Sequence, residues 1–480
     1  MKRSKRIIIL AAVLIVASAA TFALTKYEKK QEEIKNSDDI ILKIKADSVT
    51  SVSWKNDDSE LAFHKDDDKW IYDKDEAFPV SEDAINNILS HFEDFGASFS
   101  IDNVDDYGQY GLDDPQCVVN ISTKKKDYEL KIGDYSKMDE QRYVDIGDGK
   151  VYLVSEDPVS FLETELSGVI ANDTTPAFEK VKKIVFSGKA DYTINYKENS
   201  KNTYSDSDVY FTKIDGETQP VDSDKISTYL STISSLSLTN YVTYNATDDE
   251  LKSYGLDNPE FSVKVDYTYT DDDNNEISDS CVLHVGQNQE ELAKAKKAKE
   301  SKKDEAVTVT KYVRIGDSKI IYQLDDSSYD VLAACTYDDL RHSQVIWADS
   351  DDITQIDVTL EGQKHVIKSK ENKDADKDSD SENDKSRVWY YDDKKIDIAD
   401  IKTALVSLKA DSFTDEKANQ QEEISLTVHL DNENYKEVKI VFYRYNGKYC
   451  LAQVDGKSVS LVNRADVMAL VEAVQAIVLE

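Results

Sequence analysis

The chain repeats itself, and that limits its fold more than any single motif does. Phe78-Pro79-Val80-Ser81 leads into Ile85, Ile88, Leu89 and Phe92, and Gln219-Pro220-Val221-Asp222 leads into Ile226, Tyr229, Leu230 and Ile233, at a constant offset of 141 residues. Each apolar set is spaced i, i+3, i+4, i+7, which is one face of an amphipathic helix. Ser81 and Asp222 are suited to cap those helices, and Glu82, Asp83 and Asp224 put negative charge at the positive end of the helix dipole. A third copy follows Ile396-Asp397, where Ile401, Ala404, Leu405 and Leu408 lie 316 residues after the first set. An aromatic strand precedes each helix: Trp70-Ile71-Tyr72, Val209-Tyr210-Phe211 and Val388-Trp389-Tyr390-Tyr391.

The flanks repeat as well. Residues 49–54, 181–186 and 353–358 read as strands entering hairpins. Later in each copy come Tyr143-Val144-Asp145-Ile146-Gly147, Tyr312-Val313-Arg314-Ile315-Gly316 and Tyr449-Cys450-Leu451-Ala452, each followed by another short apolar strand. Short helical stretches close the copies at 157–163, 327–334 and 464–477. Hairpin, helix, strands and short helix predict an α+β fold: three tandem repeats, each a mostly antiparallel sheet with one amphipathic helix and a short closing helix. The units fall at 47–165, 178–335 and 349–480, the third being a divergent copy. Residues 289–306, rich in Glu, Lys and Ala with almost no apolar stripe, form an exposed insertion in the second. Residues 369–387, with seven acidic and five basic residues, read as an acidic disordered loop in the third.

Ahead of the units, Lys2, Arg3, Lys5 and Arg6 are followed by residues 7–24, which carry no charge. Eighteen helical residues span about 27 Å, close to the hydrocarbon core of a bilayer. The basic flank stays in the cytoplasm, so the expectation is a single-pass cell-membrane protein whose bulk is extracytoplasmic. Residues 1–25 are the membrane anchor or signal segment, and 26–46 a polar stalk. The alternative is secretion after cleavage near Ala19, because Ala17-Ser18-Ala19 fits a small-x-small site. Phe22 and Leu24 extend the apolar run past that site and favour the anchor. No cysteine lies near this segment, which excludes a lipoprotein. The net charge of −36 argues against nucleic acid as a partner and leaves diffuse attraction of divalent cations. Cys117, Cys281, Cys335 and Cys450 are dispersed, without a C-x-x-C, and read as buried thiols in strands.

Tyr110-Gly111-Leu112-Asp113-Asp114-Pro115 recurs as Tyr254-Gly255-Leu256-Asp257-Asn258-Pro259. The element reads as a structural turn. Asp105-Asp106 and Asp248-Asp249 start a short helical turn, and Gly111 and Gly255 take the left-handed position past its end. Leu112 and Leu256 make the apolar contact of that cap, and Pro115 and Pro259 stop the helix resuming. Asp113 and Asp257 are expected to bond nearby backbone N–H groups. A catalytic or metal-binding role for these two carboxylates is the competing reading.

With the W-x-Y strand and the capped helix upstream, this element resembles the bacterial family catalogued as domain of unknown function 4340, over residues 47–335. The third unit lacks Y-G-L-D-x-P. The resemblance implies an N-terminal membrane helix, a long extracytoplasmic part and an accessory role beside export-type ABC transporters of the gliding-motility class. It brings no catalytic residues with it.

No reaction signature stands out. H-E-x-x-H, G-x-S-x-G, P-loop and G-x-G-x-x-G motifs are missing, and His64, His91, His284, His342, His365 and His429 are isolated. Ser122-Thr123-Lys124-Lys125 has serine–lysine spacing but sits at a strand end entering a basic turn. Asp374, Asp376 and Asp378 evoke a calcium loop, yet Ser379 stands where Gly is needed and Lys385 where a bidentate Glu is needed. Tyr241, Tyr244, Tyr267 and Tyr269 are candidates for an exposed aromatic surface. The expectation is a non-enzymatic binding or accessory protein, without cofactor or metal, that works on a membrane-protein partner such as transporter subunits. A cell-envelope hydrolase using carboxylates and a free secreted binding protein are the alternatives.

Overall fold

The computed structural model describes residues 39–56, 59–300, 307–371, 387–418 and 421–479. The apolar segment at 7–24 lies outside them. Among the described residues no helix is long and apolar enough to cross a membrane.

The fold is α+β, with mostly antiparallel sheets. The first large sheet runs, in spatial order, Lys69–Tyr72, Ser59–Asp66, Val49–Asn56, Cys117–Thr123, Asp127–Ser136, Gln141–Asp145, Val151–Val154 and Phe99–Ile101. The second runs Glu217–Pro220, Tyr210–Ile214, Tyr192–Tyr196, Lys180–Gly188, Phe261–Thr270, Glu276–Gln287, Lys311–Ile315, Ile321–Leu324 and Tyr241–Thr243. The third runs Lys394–Ile396, Arg387–Tyr391, Gln363–Glu371, Ile353–Leu360, Glu422–Leu430, Glu437–Arg444, Tyr449–Val454, Lys457–Asn463 and Ala410–Phe413. The order of connections is the same in all three, except that the first sheet lacks the outermost strand. Registers agree too: Trp54 faces Val119, Phe186 faces Val263 and Val358 faces Leu426 across the central pair.

The amphipathic helices are Glu82–Ser90, Ser223–Ser234 and Ala399–Ser407, and their apolar stripes are buried as the spacing requires. Ser81 accepts from the Ala84 N–H at 3.2 Å, and Asp222 from those of Asp224 and Lys225. In the third copy Asp397 accepts from the Ala399 N–H at 2.9 Å. The closing helices are Val159–Leu162, Asp326–Ala333 and Arg464–Val478. Asp325 caps the second of these, accepting from the Ser328 N–H at 2.9 Å and from the Ser327 hydroxyl. Those hydrogen bonds pull its carboxyl down to about 2 from an ordinary 3.8. Because the folded value lies below the unfolded one, the cap's contribution is present at neutral pH and is lost as pH falls from about 4 to about 2. Asp325→Asn should therefore flatten the acid limb of stability over that window. It should change stability at pH 7 by no more than about 0.5 kcal/mol, since Asn caps as well as Asp; urea titrations at several pH values read both.

Three sequence readings need correction. The polar stalk was expected to reach 46, but Asp39–Leu42 is a strand paired with Phe95–Ala97, and residues 46–48 form a 3-10 turn. The cause is the alternation that buries Leu42 and Ile44 and leaves Lys43 and Lys45 outside. Of the acidic loop expected over 369–387, residues 369–371 and 387 are strand, with Ser369 opposite Trp389 and Glu371 opposite Arg387; residues 372–386 lie outside the described set, as do Asp374, Asp376 and Asp378. The inserted segment is an exposed helix over Gln289–Glu300 with no buried residue, and 301–306 lie outside.

The chain divides into two compact units, Met1–Asp173 and Thr174–Glu480, the second holding both nine-stranded sheets. The reason is a single side chain. Tyr204, on the loop between the second sheet's strands Tyr192–Tyr196 and Tyr210–Ile214, is a member of the third sheet's core with Val345, Ile356, Trp389 and Leu430.

Candidate functional site

Backbone geometry at the repeated turn comes first, because it places every singled-out residue. Gly111 has φ +70° and Gly255 φ +68°, the left-handed conformation. The Leu112 N–H donates to Tyr107 O at 3.1 Å and the Leu256 N–H to Leu251 O at 2.8 Å, while the glycine N–H groups donate to Gly108 O and Lys252 O. This is the Schellman arrangement, in which a left-handed residue lets the chain close the helix's last carbonyls. Leu112 and Leu256 are buried beneath it, and Pro115 and Pro259 lead the chain into the central strand. Tyr110 packs on Tyr143 with ring centroids 5.0 Å apart, and Tyr254 on Tyr312 at 4.5 Å.

Two expectations about this turn fail. Only the second copy has the α-helix, Asp248–Tyr254, whose Thr247 and Glu250 form a capping box. The first has one 3-10 turn, Gly108–Tyr110, because Gly108 interrupts it and no such box precedes it. Asp113 and Asp257 are exposed, and neither carboxylate accepts a hydrogen bond among the described residues. Asp106 instead accepts from the Gly108 N–H at 3.0 Å.

Sequence reasoning missed the turn's partner. A Cβ on Gly133 would lie 2.2 Å from Tyr110 O, and one on Gly286 would lie 2.5 Å from Tyr254 O and 2.6 Å from Gly255 O. The turn therefore rests backbone-to-backbone on a glycine of the next strand. A lone glycine inside a strand signals such an approach, and Ile132-Gly133 and Val285-Gly286 carried that signal. In the third sheet Ile424 faces Phe442, so the equivalent position is Tyr443, in the unit that lacks the turn.

Behind the turn, each unit ties the residue ahead of its central strand to another part of the fold. Arg142 is buried; its Nε and Nη2 donate to both oxygens of Asp157 at 2.9 and 2.7 Å, and its Nη1 donates to Gln116 Oε1 at 2.6 Å and Gly133 O at 3.0 Å. In the second unit Glu260 accepts from the Tyr329 hydroxyl at 2.8 Å and Gln287 Nε2 at 2.6 Å. In the third, Glu423 accepts from Arg464 at 3.2 Å. Arg142→Lys should cost unit one about 2 kcal/mol, since a point cation cannot keep the fork and charge-assisted bonds are worth about 1.5–3 kcal/mol each. A denaturation series would show it as a lower midpoint with an unchanged slope.

The most enclosed ionisable cluster joins the second and third sheets. Asp208 has a side chain with no exposure; its Oδ1 lies 2.7 Å from His342 Nε2, and its Oδ2 accepts from Trp347 Nε1 at 2.9 Å and Thr203 Oγ1 at 2.5 Å. The imidazole stacks on Trp347 at 4.2 Å, and its Nδ1 lies 3.6 Å from Asp222. Tyr204 packs against the other side of the joint, 4.8 Å from Trp347. A His/Asp pair is what a hydrolase would need, but this carboxylate is sealed and its oxygens are taken by three donors, so it holds structure together.

The other candidates separate. His64 pairs with Asp73, His91 with Glu156 while stacking on Phe161 at 4.1 Å, and His284 with Ser262 at 2.8 Å. Ser122 and Lys125 sit at a hairpin turn, where Thr123 Oγ1 accepts from the Lys125 and Lys126 N–H groups. Tyr267 is buried, so the four-tyrosine surface reduces to two separate pairs, Tyr241 with Tyr244 and Tyr267 with Tyr269. Among the described residues no group of three or more His, Cys, Asp or Glu could hold a metal ion. All four cysteines are free and buried; burial pushes the Cys117 thiol up to about 12 and the other three up to about 11.

A family model described as domain of unknown function (DUF4340) matches residues 70–259 and again 213–428. The two matches repeat nearly in step with the helix offset, and the second extends into the third sheet, beyond the range of the sequence resemblance. No curated protein and no solved structure matches the chain.

Proposed function

Because the chain belongs to the domain of unknown function DUF4340 family, we propose that it is a membrane-anchored, extracytoplasmic binding protein built of three tandem units, serving as an accessory to a membrane partner such as the subunits of an export-type transporter. The observation that carries this reading is how the buried ionisable groups are used. Arg142 and Asp208, the most enclosed of those described above, have their hydrogen bonds filled at joints between elements. Chemistry needs a charged group that meets solvent or substrate, whereas a scaffold needs charged groups that fix its parts. The uncharged run at 7–24 behind four basic residues supplies the anchor, and the acidic exterior keeps a long exported chain soluble.

Membranes from cells making the full chain test this. The protein should remain in carbonate-washed membranes and dissolve in mild detergent, and its partner should co-purify. A form in the medium beginning at Ala20 or Thr21 would assign it to the secreted class instead. Hydrolytic activity that survives Asp208→Asn but not a surface carboxylate substitution would turn the reading toward an enzyme.

A further inference from the structure

Exposed apolar side chains gather at one end of the first sheet. Phe99, 62% exposed, lies on an edge strand opposite Leu153, which in turn faces Tyr143. Two residues beyond that row is the hairpin tip between Ser136 and Gln141, where Met138 is 89% exposed and Tyr135, at its base, 42%. Ser98, beside Phe99, bonds Gln141, so the edge strand and the hairpin are held together at this end. Ile40, 55% exposed, sits opposite Gly96, three residues before Phe99.

The place where the upstream chain enters the fold decides what covers these side chains. Asp39 is the first described residue, it pairs with Ala97, and it is adjacent to Ile40. Only residues 25–38 separate it from the uncharged run at 7–24. Fourteen residues reach at most about 50 Å when fully extended. We propose that Ile40, Phe99 and Met138 insert into the lipid headgroup interface, so that unit one lies against the bilayer that holds its anchor. This rests on the anchored reading above and adds an orientation to it. Three side chains would bind lipid weakly alone, but tethering raises their effective concentration at the surface to the millimolar range. The hairpin tip carries Lys137 against Asp139 and Glu140, and Asp39 flanks Ile40, so the contact favours zwitterionic over anionic headgroups.

The test uses the full chain in phosphatidylcholine vesicles containing nitroxide-labelled lipid. Since the four native thiols are buried, a fluorophore goes selectively onto Lys137→Cys or, as control, Lys69→Cys. Lys69 lies on the opposite edge strand, seven strand spacings away, or roughly 34 Å. The Lys137→Cys label should be quenched and the Lys69→Cys label spared. Phe99→Ser with Met138→Ser should lose most of that quenching while the protein still floats with the vesicles. Part-replacement by phosphatidylglycerol should weaken the quenching. Floating protein with an unquenched Lys137→Cys label would overturn this contact and leave the anchor standing; protein that does not float would remove both. Quenching of the Lys137→Cys label by a nitroxide-labelled second copy in lipid-free micelles would assign the surface to self-association and overturn the lipid contact.

Discussion

Gly255→Val is expected to lower the melting temperature by about 10 °C. The valine would occupy a backbone at φ +68°, and its Cβ would lie 2.9 Å from Gln287 O and 2.4 Å from Gln289 Nε2. Gln289 can swing away; the Gln287 carbonyl belongs to a strand and cannot. Left-handed strain for a β-branched residue costs roughly 1–3 kcal/mol, and forcing new volume into a packed site adds about 1–3 kcal/mol. At roughly 2–4 °C per kcal/mol for a unit of this size, the shift follows. Gly286→Val should do as much by a different route, since its φ is ordinary but the turn's carbonyls lie against it. Asp257→Asn is the internal control: its carboxylate is exposed and accepts no hydrogen bond, so it should stay within about 0.5 kcal/mol of the parent. A melt unchanged by Gly255→Val would end the capping account, and loss of partner binding in a fully stable Asp257→Asn would make this loop a functional site.

Asp208→Ala should be the costliest substitution in the second compact unit. It leaves the Trp347 indole N–H, the Thr203 hydroxyl and His342 without their acceptor inside a sealed site. Removing one partner from a buried charged pair typically costs about 3–5 kcal/mol. Urea unfolding followed by tryptophan emission is a direct probe, because Trp347 reports from the joint itself. If the loss falls below about 1 kcal/mol, the Asp208–His342 contact contributes little more than an exposed ion pair would. A cycle with His342→Gln then gives the coupling between the two residues.

Much of the architecture was legible because it was written more than once. The stripe Ile85, Ile88, Leu89 and Phe92 would be an ordinary amphipathic helix on its own; its recurrence at Ile226 and Ile401 located the units and their connections. The positive φ at Gly111 and Gly255 was legible because a glycine between a helical turn and a proline has few other uses. What escaped were contacts between residues distant in sequence. Nothing near Asp208 announces His342, 134 residues later, and nothing near Tyr204 announces that its ring belongs to another sheet's core. Gly133 was readable but was passed over, because a strand glycine gains meaning only once the turn above it is known. The strand at Asp39–Leu42 was lost for a similar reason: four residues alternate too briefly to stand out from a charged stretch, and pairing with Phe95–Ala97 stabilises them.

The seating of Tyr204 sets how this chain tolerates rearrangement. A deletion at 349, the apparent repeat edge, would strip the aromatic ring of its neighbours Val345, Ile356 and Leu430 wherever the cut passed. A cut before His342 would also leave Asp208 charged and sealed without two of its three donors. Modularity here is therefore lopsided. The stretch ending at Asp173 is a piece that a genome can gain, lose or transplant, whereas the two later copies have become one heritable block. Insertions and losses among related chains should respect the first seam and avoid the second.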